Sequence, residues 1–178
     1  DLRFSVSDVI GGLPPLRSGT TDMRADNWPN IASELLDSAA KAAYEYPEIA
    51  ELLASTKDSL KRGDPGQGGR WMKKTAKSES VPEHLKSWLI DQRLDGILNH
   101  EVRDHMRQDL MRYAYASAFA AVYGHSPRGA KEFPIPLHPK HRNWDIGKFV
   151  DRFKVQLKDH PSSTVTSHVA KDGHYFIH

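Results

Sequence analysis

Along the first two thirds of the chain, apolar residues recur at the spacing of an α-helix; near the C-terminus they alternate instead. Ile31, Leu35, Ala39, Ala42 and Tyr46 lie on one helical face. Pro29 suits the first turn of that helix, with Asp26 or Asn27 near its cap. Pro47 interrupts the pattern and can start a second helix, in which Ile49, Leu52, Leu53, Thr56 and Leu60 share a face as far as about Arg62. A third helix is expected from Pro82 to Asp91, burying Leu85, Trp88 and Leu89. The longest is expected over Asp104 to Tyr123, where Leu110, Ala114, Ala118, Phe119 and Val122 fall together and Gly124 fits the position beyond the C-terminus.

The segments around these helices read differently. Residues 1–25 form an irregular lead-in with one helical turn before Gly11, punctuated by Gly-Gly and Pro-Pro pairs. Gly63 to Gly69 reads as a mobile linker, followed by a basic stretch from Arg70 to Lys77 around Trp71. Ser126-Pro127, Phe133-Pro134 and His138-Pro139 mark a proline-punctuated connection. Phe153, Val155 and Leu157 then alternate with Lys154, Gln156 and Lys158, the period of a half-buried strand. Asp159-His160-Pro161 reads as a turn, Thr164-Val165-Thr166 as a strand, and Lys171-Asp172-Gly173 as a turn into a last strand. The expected fold is α+β and mainly helical. A bundle from residues 29–124 packs on a small C-terminal antiparallel sheet or hairpin within 148–178. The expected organisation is a connector over 1–28, a helical part over 29–147 and a hairpin segment over 148–178.

Composition narrows the chemistry. The 178 residues include no cysteine, which removes disulfides, cysteine-ligated zinc and any cysteine nucleophile from this chain. Net charge is +2, which permits a polyanionic partner without requiring one. No apolar run approaches the roughly 18–20 residues needed to cross a bilayer, and no signal peptide is visible, so a cytoplasmic protein without a membrane partner is expected. The start at Asp1 and the stop at His178 within an alternating segment lead us to expect a piece of a longer protein.

Three passages carry a family likeness. The C-terminal one is Phe149-Val-Asp-Arg-Phe-Lys-Val-Gln-Leu, Pro161-Ser-Ser-Thr-Val-Thr-Ser-His and Lys171-Asp-Gly-His-Tyr-Phe-Ile-His178. Ser7-Asp-Val-Ile-Gly-Gly-Leu-Pro-Pro-Leu16 is similar to an Asp-Ala-Ile-x-x-Leu-Pro passage. Asn99, His100 and Arg103, followed by Asp109-Leu-Met-Arg-Tyr113, are similar to an Asn-His-x-x-Arg passage. In this order they resemble the target-recognition region of bacterial DNA (cytosine-5) methyltransferases. Residues 17–98 match no family passage, as suits a variable recognition region. The family's Gly-rich methyl-donor loop, Pro-Cys nucleophile, Glu-Asn-Val block and Gln-x-Arg-x-Arg block are absent. The family's chemistry needs a thiolate adding to cytosine C6, and this chain has none. The resemblance therefore implies a DNA-reading part whose parent enzyme transfers methyl from S-adenosylmethionine to cytosine C5. It implies double-stranded DNA and the parent's catalytic domain as partners, with the target cytosine flipped into that domain. The chain alone is expected to be inactive.

The same resemblance points to Thr164, Thr166, Ser167 and the Lys171-Asp172-Gly173 turn as DNA contacts; Arg152 and Lys154, alternating with Phe153 and Val155, emerge on one strand face that suits a phosphate strand, and His168 and Arg142 complete the candidate DNA contacts. The plainer reading is a β-hairpin whose threonines satisfy strand propensity and a solvated strand face. His100, Arg103 and His105, and His138, Lys140, His141 and Arg142, are spaced poorly for zinc, so structural bonding or phosphate contact is preferred. Asn99 and Arg103 are expected to brace the long helix. Asp109 with Arg112, and Glu101 with His105, read as ordinary helical pairs. The competing functions are a helical protein-interaction domain without nucleic-acid binding and a hydrolase using histidines and carboxylates, for which no motif speaks.

Overall fold

The computed structural model describes residues 3–21, 27–75, 81–140, 144, 153–164 and 177, with side chains 61–62 left aside. Its α+β architecture sets helices α1 (Val6–Ile10), α2 (Trp28–Ala42), α3 (Pro47–Thr56), α4 (Glu83–Leu89) and α5 (Arg107–Tyr123) beside strands β1 (Gly19–Thr20), β2 (Gly68–Lys73), β3 (Gly96–Glu101) and β4 (Asp104–His105).

The core is a layer of α2, α3 and α5. Pro29 and Pro47 stand in the first turns of α2 and α3, where a missing N–H costs nothing. Ile31, Leu35, Ala39, Ile49 and Leu53 turn inward as the helical period requires. Helix α5 presents Tyr115, Ala116, Phe119 and Ala120 to them and stops at Gly124, whose φ of 72° is the left-handed conformation that favours glycine. Ala39, Ala43 and Ala116 are wholly buried, so the backbones can approach closely. The proline-punctuated connection closes the core from the other side. Phe133, Trp144 and Phe153 form an aromatic cluster, Phe133 lying 5.0 Å from Tyr115 and 5.4 Å from Phe153. Phe153 holds a φ of 61°, uncommon for a bulky residue, and its near-complete burial offsets that strain.

Several expectations need correction. The stretch 63–105 is not part of a helical bundle: β2 and β3 pair antiparallel as a two-stranded ribbon, with α4 inserted between them. Helix α4 spans only Glu83–Leu89 and buries nothing fully; Trp88 is 87% and Leu89 49% exposed. The long helix starts at Arg107, because Asp104 and His105 pair in parallel with Gly19 and Thr20 instead. Val122 is exposed, and Leu110 and Ala114 are half-buried. Glu101 and His105 sit on strands, so they form no helical pair. Asn99 lies within β3, exposed, and does not brace α5.

The Gly63–Gly69 segment is pinned as well. Arg17 grips the Asp64 carboxylate through Nε at 2.7 and 2.8 Å, while Gly66 N–H donates to the same group at 2.7 Å. Arg17 N–H donates to Gly66 O, and Val102 N–H to Gln67 O. At the C-terminal end, the described pairing is one parallel bridge between Val155 and Ile177. The residues expected to form an antiparallel hairpin, 165–176, lie outside the described residues.

Candidate nucleic-acid interface

Residues 5–21 organise the surface outside the core. Ser5 caps α1 by accepting from Asp8 N–H, and the Asp8 carboxylate accepts from Ser5 N–H at 2.8 Å. The next two free amides are taken by a distant turn: Val6 N–H donates to His160 O at 2.9 Å and Ser7 N–H to Lys158 O at 2.8 Å. This helix terminus has no donor left for a phosphate. The bonds from Ser5 hold the Asp8 carboxyl below the usual carboxylate range.

The 153–164 segment stands on this support. Ser126 Oγ accepts from Val155 N–H at 2.8 Å and donates to Val155 O at 3.1 Å. Gln156 Oε1 accepts from Ser163 N–H at 3.0 Å, its amide nitrogen donates to Ser163 Oγ at 3.0 Å, and its backbone N–H donates to Ile177 O at 2.7 Å. The Pro161–Thr164 stretch is thereby held at the surface. Thr164 is exposed. Lys154 is half-buried between the buried Phe153 and Val155. Of the other expected contacts, Arg142, Arg152, Thr166, Ser167, His168, Lys171, Asp172 and Gly173 lie outside the described residues.

The histidines have structural uses. His100 Nε2 bonds Pro14 O at 2.8 Å and His138 Nε2 bonds Phe133 O at 2.9 Å. His105 Nδ1 is 2.7 Å from Ser18 Oγ and its ring stands edge-on to Tyr113. The Ser18 hydroxyl has one proton. Given to Gly19 O at 2.9 Å, it leaves His105 Nδ1–H as the donor to Ser18, the reverse of what an activated nucleophile needs. Burial pulls the His105 pKa below the ordinary histidine value, against the pull of Asp109. Burial also pushes the Tyr115 hydroxyl far up; it donates to Glu132 O at 2.6 Å. The Asp109–Arg112 pair is not an ordinary surface pair. It is nearly buried, at 2.7 Å, and Arg112 also donates to Leu137 O at 2.8 Å and His138 O at 3.3 Å. Each of these groups is explained by a packing role.

Sequence reading missed the β2–β3 ribbon. Its register pairs Gly68 with Glu101, Gly69 with His100, Trp71 with Leu98, Met72 with Ile97 and Lys73 with Gly96. The Trp71 indole covers Gly96, where any Cβ would collide with it. Gly68, at φ 76°, lies against His100 O and Leu16, again with no room for a Cβ. Trp71 and Leu98 stay 54% and 51% exposed, and Arg70 and Lys73 are exposed on the same strand pair. Beside the ribbon, a groove of about 630 Å³ is lined by Leu13, Lys74, Trp88, Arg93 and Leu98 among others. Arg93 clamps Asp91 there and holds its carboxyl below the usual range. The available signals were Gly68 and Gly96, placed where a chain must approach another closely.

Among the described residues, no group of His, Asp and Glu side chains is arranged to hold a metal ion, and no helix is long and apolar enough to cross a membrane. Compared with known proteins, the chain matches no family model, no curated protein and no solved structure.

Proposed function

We propose that this chain is the DNA-binding target-recognition region of a DNA (cytosine-5) methyltransferase. The observation that carries the reading is the meeting of the three passages on which the family likeness rests. Residues 6 and 7 bond the turn at 158–160, Pro14 O bonds His100, and the Tyr113 ring lies 6.0 Å from Phe153. These contacts join residues 6–14, 100–113 and 153–160 into one connected support, which suits a single recognition module. The exposed Thr164 at the end of the Gln156-braced stretch suits contact with a duplex, as does the half-exposed Lys154.

In this reading the bond-making groups come from elsewhere. A chain without cysteine supplies no thiolate, so the nucleophile and the S-adenosylmethionine site belong to the parent's catalytic domain, expected to carry a Pro-Cys motif. The part played here is to bind duplex DNA and fix which cytosine is presented.

Fluorescence anisotropy with a labelled mixed-sequence duplex tests the reading. Binding should weaken with salt at a logarithmic slope near roughly −0.9 per phosphate neutralised. A second reading, a protein-interaction domain, is favoured by the exposed Trp88, Leu89, Leu94 and Leu98 around the groove. Absence of duplex binding at low salt would sink the first reading and leave the second.

A further inference from the structure

We propose that the β2–β3 ribbon enters the major groove of duplex DNA and reads base edges there through Arg70 and Asn99. This rests on the DNA-recognition reading above and names the element and residues that do the reading. The register pairs Gly69 with His100 and Trp71 with Leu98, and Arg70 and Asn99 are the residues left between those two pairs, one on each strand. Both are exposed, and neither side chain has a hydrogen-bond or ion-pair partner among the described residues. A guanidinium fork matches guanine O6 and N7, and a carboxamide matches adenine N6 and N7. Side by side on adjacent strands, the two suit neighbouring base pairs.

The scaffold fits the same use. The major groove of B-DNA admits a two-stranded ribbon, whereas the deep, narrow major groove of duplex RNA does not. Alternation puts Arg70 on the face opposite Trp71, together with Glu101 and the half-buried Met72 and Ile97. Arg70 is the exposed cation on this face; Lys73 is exposed on the opposite face at the end of β2, where it can meet a phosphate strand, while Lys74 is half-buried and donates to Asp91 O at 3.1 Å. Glu101 is the acid on the reading face, two residues from Asn99, and a carboxylate accepts from a cytosine amino group. Asn99 holds a φ of 53° in mid-strand, a conformation asparagine tolerates better than most residues and one often retained where a side chain must be re-aimed.

The test is selection of the 178-residue chain on a randomised DNA duplex library, followed by affinity measurements on the enriched duplex and its single-base variants. Arg70→Lys keeps the charge but loses the fork, so preference at one guanine should fall about tenfold with the salt slope unchanged. Asn99→Gly keeps the backbone conformation and should cost about tenfold at one adenine. Hydrogen exchange of the unaltered chain on the enriched duplex needs no variant to fold, and slowing should appear in 68–73 and 96–101. If the duplex is bound and enriched but both variants keep the site and exchange slows only elsewhere, the ribbon is not the reader, while the recognition reading stands. Equal competition by duplex RNA overturns major-groove entry. Failure to bind any duplex overturns both.

Discussion

In α2, α3 and α5 large apolar side chains disappear from solvent; among the described residues from 63 to 105 none of them does. Leu35, Ile49, Leu53, Tyr115 and Phe119 are at most 6% exposed, whereas Trp71, Trp88 and Leu98 all exceed 50%. The helical layer is held by burial, at about 25 cal/mol per Å² of apolar surface removed from water. The ribbon is held by backbone pairing, by close glycine contacts and by polar ties such as Arg17–Asp64, each worth little alone. A two-stranded ribbon without a covered face is marginal in isolation. One chain thus joins an apolar core to a lobe with little buried apolar surface, the make-up expected of a region that opens more readily.

The contrast can be broken or sharpened experimentally. Arg112→Met should cost about 3–5 kcal/mol in global unfolding, since it leaves the Asp109 carboxylate buried and unpaired and frees the 137–138 carbonyls. Adding Asp109→Leu should recover much of that loss, and denaturant titration of both variants checks it. Gly68→Ala should cost about 2 kcal/mol, but locally: exchange across 68–73 and 96–101 speeds up while the α2 and α5 amides stay protected. If core amides loosen equally, the two regions unfold as one. Asp64→Ala should cost about 1 kcal/mol or less, read as faster proteolysis within 63–67.

His105 gives a pH test at the seam between the regions. Burial depresses its folded pKa, so both states are neutral above the ordinary histidine value. As pH falls below about 6.5 the unfolded chain takes up the proton first, and stability declines until the folded pKa is reached. Between about pH 7 and pH 5 the unaltered chain should lose more Tm than His105→Asn does; equal losses would remove His105 from the account. Smallest of all, Trp88→Ala should change stability by no more than about 0.5 kcal/mol, because an 87% exposed side chain leaves no cavity.

The same contrast explains how legible the fold is. Helical spacing around Leu35, Leu53 and Phe119 reports burial directly, and the terminators Pro29, Pro47 and Gly124 act within a turn of their own position. The ribbon escaped because residues 74–95 separate its strands, so no short turn announces the pairing, and its faces are not cleanly apolar or polar. Trp88 misled for a related reason: a helical period shows which residues share a face and says nothing of whether another element covers it. Asp109 and Arg112 sit at ordinary i, i+3 spacing, and only the third partner, the 137–138 backbone, makes them interior residues. Of the candidate contacts, Thr164 is exposed, whereas the continuous strand expected around Lys154 is interrupted at Phe153 by its positive φ.

The stitch between α1 and the 158–160 turn has a consequence for biosynthesis. A five-residue helix cannot persist alone in water, and half of the amide bonds at its start depend on carbonyls made some 150 residues later. Vectorial emergence from the ribosome therefore leaves the first segment waiting, unfolded, while α2 and α3 can already associate behind it. Residues 5–8 are thus made long before the carbonyls that fix two of their amides, and a nascent chain halted before residue 158 should leave them open to a protease.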